Sequence, residues 1–160
     1  DGQTLPNRIS ATPYTCETGN CNYAMATAGG QAYGAQAFGG VYYRFNNDGS
    51  KTALTGQVAS YRSFLGMWAN PFNGNIISAS NSGLIEINPT TGAVRVINPG
   101  VFPDGVSVSP DGQQVYVENG GTVQSYALSD GHLIHTFFRS WPGRHGCYYG
   151  RIARWRYCCE

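Results

Sequence analysis

Between Val106 and Phe137 apolar and polar residues alternate in short runs. Val106-Ser-Val-Ser109, Val115-Tyr-Val117, Val123 to Leu128 and Leu133 to Phe137 each place apolar side chains on one face of an extended chain, because successive side chains of a strand point to opposite faces. Turn chemistry separates the runs. In Pro110-Asp-Gly112 proline sets φ and glycine accepts positive φ; Asn119-Gly-Gly121 is a hairpin signal, and Asp130-Gly131 turns the chain again. The pattern predicts four short antiparallel strands, and no stretch sustains a helical period.

The pattern recurs at a period of about 39 residues. Gly66-Met-Trp-Ala-Asn-Pro-Phe-Asn-Gly74 aligns with Gly105-Val-Ser-Val-Ser-Pro-Asp-Gly112, and Asn75-Ile-Ile-Ser-Ala79 with Gln114-Val-Tyr-Val-Glu118. A third element occurs as Gly40-Val-Tyr-Tyr-Arg-Phe-Asn-Asn-Asp-Gly49, Gly83-Leu-Ile-Glu-Ile-Asn-Pro-Thr-Thr-Gly92 and Gly121-Thr-Val-Gln-Ser-Tyr-Ala-Leu-Ser-Asp-Gly131. Four strands in such a unit make one β-propeller blade, which buries its faces only by stacking on neighbours. The expected fold is all-β, with about two to four antiparallel propeller-type blades in an incomplete ring. Ile76, Ile85, Val94, Val115 and Val123 are its expected core. The expected organisation is a Gly/Ala-rich segment of unassigned structure over 1–39, blade repeats over 40–138 and an anomalous basic, Cys/Trp-rich tail over 139–160.

The segment Phe102-Pro-Asp-Gly-Val-Ser-Val-Ser-Pro-Asp-Gly-Gln-Gln-Val-Tyr-Val resembles the YVTN-type and NHL-like bacterial propellers, and more distantly the gluconolactonase and streptogramin-lyase groups. Gluconolactonase-like enzymes hold a divalent cation at the propeller axis, so the resemblance implies a metal ligand at Asp104, the Asp of a Pro-Asp-Gly opening an inner strand. A second ligand position falls on Leu65, which cannot ligate, and the N-terminal Glu of that group has no counterpart before Gly40. Lyase-like propellers use axial histidines, whereas His132 and His135 belong to an outer strand and His145 to the tail.

Composition narrows the partners. Only 12% of residues are charged, 22 are glycine and 11 are tyrosine, which suits short strands and tight turns. A net charge of +1 gives no basic stripe for nucleic acid, and no apolar run approaches the roughly 20 residues of a membrane span. The start at Asp1 fits a processed, extracytoplasmic protein or a trimmed chain. Cys16 and Cys21 can close a small disulfide loop; the alternative is half a zinc site completed by Cys147, Cys158 or Cys159. The tail carries five arginines of the ten Lys+Arg residues. Read one nucleotide later, a back-translation of it admits a further Pro-Asp-Gly on the repeat period, as expected of an out-of-frame end of a longer propeller gene.

No phosphate loop, dinucleotide fingerprint or nucleophile elbow is present, and no catalytic residue is assigned. Glu118 and Asn119 end a strand and can offer oxygen donors to a ligand. Trp68, with Tyr42, Tyr43 and Tyr61, can form a stacking platform for sugars or pack between blades. The resulting expectation is an exported binding or scaffold module without a resident cofactor, unless Asp104 holds Ca²⁺ or Zn²⁺. Unpaired strand edges and open blade faces predict a homo-oligomer. The alternatives are a lactonase, hydrolase or lyase with a polar axial site, and a carbohydrate-binding assembly.

Overall fold

The structure is a computed structural model that describes residues 23–119 and 121–138. It is all-β, with three antiparallel four-stranded sheets of propeller-blade type. The first contains β1 (Tyr23–Ala28), β2 (Gln31–Gln36), β3 (Tyr42–Phe45) and β4 (Lys51–Ala53). The second contains β5 (Ser63–Ala69), β6 (Ile76–Ser80), β7 (Gly83–Ile87) and β8 (Val94–Asn98). The third contains β9 (Gly105–Val108), β10 (Gln114–Asn119), β11 (Thr122–Ala127) and β12 (Leu133–Phe138). In each sheet the strands follow one another in chain order. Strand β1 packs beside β5, and β5 beside β9, so the first strand of each sheet lies on the inner side of the row. Residues 23–36, unassigned from the sequence, supply the two inner strands of the first sheet.

Alternation along the strands sorts side chains between two cores. Ala26, Tyr33, Ala35 and Tyr42 of the first sheet pack against Met67, Ile76, Ile85 and Ile87 of the second. The opposite face of the second sheet presents Ile77, Leu84 and Ile97 to Val108, Val115, Val117 and Tyr126 of the third. Of the expected core residues, Ile76, Ile85 and Val115 are fully buried, whereas Val94 and Val123 are only partly so. Withdrawing each large aliphatic side chain from water contributes about 2 kcal/mol.

Polar contacts fix how neighbouring sheets sit. At the first seam the Tyr42 hydroxyl lies 3.0 Å from Ser78 Oγ. Backbone bonds Phe38 N–H to Phe64 O (2.9 Å) and Gly39 N–H to Ser63 O (2.8 Å) tie the β2–β3 loop to β5. At the second seam Arg95 donates to Glu86 Oε2 from Nε (3.0 Å) and from one terminal nitrogen (2.6 Å). The same guanidinium reaches the Ser129 and Leu128 carbonyls of the third sheet at 3.1 and 2.5 Å. Glu86 Oε1 accepts the Asn73 and Asn75 amides at 2.9 and 3.0 Å, so this buried carboxylate is fully engaged. Burial opposes its charge, but these hydrogen bonds and the charge of Arg95 outweigh that and hold its pKa below the ordinary value.

One glycine at each seam is required by space as well as by φ. Gly92, in the β7–β8 turn, has φ 70° and rests on the first sheet, where a Cβ would overlap the Thr55 carbonyl oxygen. Gly131, in the equivalent β11–β12 turn, has φ 75° and a Cβ there would overlap the Ile97 carbonyl oxygen. Among the described residues no helix is long and apolar enough to cross a membrane.

Candidate functional site

The two Pro-Asp-Gly tripeptides place their carboxylates in opposite surroundings. Asp111 caps the exposed β9–β10 turn: its Oδ1 accepts the Ser109 hydroxyl at 2.5 Å and the Gln113 N–H at 3.0 Å. These bonds, the hydroxyl foremost, hold its pKa below the usual carboxylate range. Asp104 stands where β9 begins. Its N–H donates to the Glu118 carbonyl at 2.8 Å, and the next residue, Gly105, is the cross-strand partner of Glu118. The two side chains meet. Burial, then the negative charge of Glu118 and a hydrogen bond to its carboxyl, push the Asp104 pKa up. Glu118 Oε1 also accepts the Gly121 N–H at 2.6 Å, which holds its carboxyl over the hairpin.

Asp104 stands beside β5, whereas Glu118, next to the seam residue Val117, leaves β10 on the side turned away from the second sheet. Strand β5 passes so close at Gly66 that a side chain there would touch the Asp104 carbonyl and Val106. Two residues earlier on β5, Phe64 meets Phe38 edge-on, with ring centroids 5.3 Å apart. Phe38 has φ 59°, the one positive φ outside glycine among the described residues, a conformation costing roughly 1–2 kcal/mol. Asn119 follows Glu118 and pairs with Thr122 at the end of the hairpin.

Oxygen donors from Asp104 and Glu118 suit a hard cation such as Ca²⁺ better than Zn²⁺, which prefers nitrogen and sulfur, while Asn119, the next residue of β10, alternates to the other face. No three His, Cys, Asp or Glu side chains gather among the described residues, so an ion here would draw most of its shell from water or a bound ligand. The sequence offers Asp104 as a metal ligand and Glu118 as a ligand donor, without a link between them. Their meeting was readable only from the β9–β10 register, which sets Gly105 opposite Glu118.

Trp68 lies elsewhere on β5, opposite Ile77 and about half exposed. With Met25, Ala69 and Pro71 it lines a mainly apolar groove of about 370 Å³ between β1 and β5. The four-aromatic platform does not assemble, because Tyr42 turns into the first seam and is 2% exposed. Burial there pushes its phenol pKa to about 12, against the lowering effect of its hydrogen bond with Ser78. His135 is exposed on β12, and His132 Nδ1 lies 2.6 Å from Asp130 Oδ1 beside the β11–β12 turn; both are remote from the inner strands. Cys16, Cys21, the three tail cysteines and His145 lie outside the described residues.

No protein-family profile and no curated protein sequence matches the chain. Solved structures do. The extracellular domain of BT4673 from B. thetaiotaomicron is similar at TM-score 0.52 and 17% identity, over 69% of this chain. A second structure of that domain gives TM-score 0.50 at 17% identity over 71% of this chain. AztD from Citrobacter koseri gives TM-score 0.48 at 13% identity, over 72% of this chain and 32% of its own. The chain spans 16% of the length of the BT4673 domain. At these identities the likeness is one of fold.

Proposed function

We propose that this chain is an extracytoplasmic β-propeller module that binds its ligand without transforming it, through the Asp104–Glu118 carboxyl pair where β9 begins. The observation that carries this reading is the pair itself: two acids held together where β9 begins, with the Asp104 pKa raised by burial and then by the charge of Glu118. A structural pair would gain by becoming an acid–amide or apolar contact; an acid pair retains the capacity to take up a cation between its oxygens. The ligand is a divalent cation, Ca²⁺ before Zn²⁺, either alone or bridging to an anionic small molecule. Kinship with YVTN- and NHL-like propellers, self-association and an extracytoplasmic location belong to the same reading. The last is supported by the extracellular origin of the BT4673 domain. A second reading, a sugar ring stacked on Trp68, is favoured by the half-exposed indole over its groove.

Thermal unfolding with Ca²⁺ and with Zn²⁺ tests the first reading. Ca²⁺ at a hundred times its dissociation constant is expected to add about 2.7 kcal/mol of stability, and Asp104→Ala to abolish the shift. Absence of a shift with either ion removes the cation reading. A glycan screen against the native chain and Trp68→Ala tests the second, and equal binding by both removes it.

A further inference from the structure

The three sheets can be superposed residue by residue from their pairing. The Tyr33↔Arg44, Ile77↔Glu86 and Tyr116↔Ser125 pairs are equivalent, as are Ala35↔Tyr42, Ala79↔Leu84 and Glu118↔Val123. Tyr33 is 8% exposed and Ile77 is 0%, because the following sheet covers each. Their counterpart Tyr116 is only partly buried. Cross-strand neighbours share a face, so the row Ser107, Tyr116, Ser125 and His135 defines the side of β9–β12 turned away from the second sheet. The Phe137 ring joins it, 5.9 Å from Tyr116 and 4.6 Å from His135, with Phe137 54% exposed. Ser125 Oγ on this face is buried and has no hydrogen-bond partner among the described residues.

The first sheet shows the complement. Met25↔Gly34 is equivalent to Met67↔Ser78 and Val106↔Val117. Met67 is 5% exposed under the preceding sheet, and Val106 packs on the second core. Met25 is 56% exposed. Among the described residues the chain thus carries both halves of one recurring interface, used twice internally, with Met25 and Phe137 left exposed on the two end sheets.

We propose that the outward face of β9–β12, centred on Tyr116 and Phe137, docks the outward face of β1–β4, at Met25, of a second copy of this chain. The contact continues the stacking already made at the two internal seams. It is heterologous, head to tail, and such contacts close into rings where the rotation permits. Two copies bring six described sheets, within the roughly four to eight of closed propellers, so a dimer with two identical contacts is the expected closed form. The proposal rests on the packing faces and not on the cation reading.

Light scattering on the full chain across a concentration series tests it. The native chain is expected to show the mass of a dimer. Tyr116→Arg and Met25→Arg, each checked for native far-UV circular dichroism, are expected to weaken association at least about tenfold. Phe137→Lys, at an already exposed residue, gives a second variant of the same face. A native chain that stays monomeric at high concentration overturns the proposal. So does a dimer that survives both substitutions.

Discussion

At the seam between the first and second sheets, Tyr42 meets Ser78 inside a core where alanines and tyrosines of one sheet face Met67 and isoleucines of the other, and backbone bonds from the β2–β3 loop hold β5. At the seam between the second and third, the core is aliphatic and a guanidinium on the outer side ties Glu86 to the carbonyls of the next sheet. Both seams share the glycine that tucks a turn against the preceding sheet. The packing unit is therefore set by backbone approach, common to both, while the side chains that lock it are interchangeable. An uncharged lock buried near the inner strands and a charged lock near the rim serve the same geometry, and they differ in how they respond to pH.

Three experiments break or sharpen that contrast. The largest effect is expected at the shared element: Gly92→Ala and Gly131→Ala each combine positive φ with overlap on a carbonyl, and each is expected to destabilise by about 3 kcal/mol or more in urea unfolding. Unequal losses would show that the seams do not rest on a common backbone device. Next is Glu86→Ala, which removes the acceptor of three side chains and is expected to cost about 2–3 kcal/mol. Because the folded pKa of Glu86 is depressed, its contribution is present above its unfolded pKa and fades as pH falls through the folded value. Glu86→Gln should therefore flatten the acid limb of the stability profile; an unchanged limb would deny the charged lock its role. The smallest is Tyr42→Phe, expected to cost about 1 kcal/mol at neutral pH, since Ser78 Oγ still has the Ala79 carbonyl at 3.1 Å. Its phenol is raised to about 12 from 10.0, so the stability it contributes is full below pH 10 and is lost as pH rises towards 12. Tyr42→Phe should remove that alkaline loss and leave the acid limb untouched, the reverse of Glu86→Gln.

The fold was largely legible because a blade writes itself in local signals. Alternation in Val106 to Leu128, Pro110-Asp-Gly112 and Asn119-Gly-Gly121 specify strands and turns without reference to distant residues, and the structure places β9 to β12 on the runs so read. Strands β1 and β2 escaped because Met25-Ala-Thr-Ala28 and Gln31-Ala-Tyr-Gly34 are rich in small residues, which carry little strand propensity. They are strands because Tyr33, Tyr42 and the second sheet provide the surface against which alanines pack. For the site, Asp104 and Glu118 were visible as residue types and invisible as a pair. Their contact depends on the β9–β10 register, while Asp111 takes the turn role that Pro110-Asp-Gly112 announces. The Arg95 lock was absent from the sequence reading, since no local pattern announces a guanidinium that leaves its own strand for carbonyls 33 and 34 residues away.

Every described strand pairs only with a strand adjacent to it in the chain. During synthesis each sheet can therefore complete its hydrogen bonding as soon as its last strand emerges, without waiting for distant chain. Short loop closures keep contact order low for an all-β protein and favour fast assembly of each unit. The first sheet, whose alanines take their packing surface from the second, then settles as its neighbour forms, so stacking rather than strand pairing completes the fold.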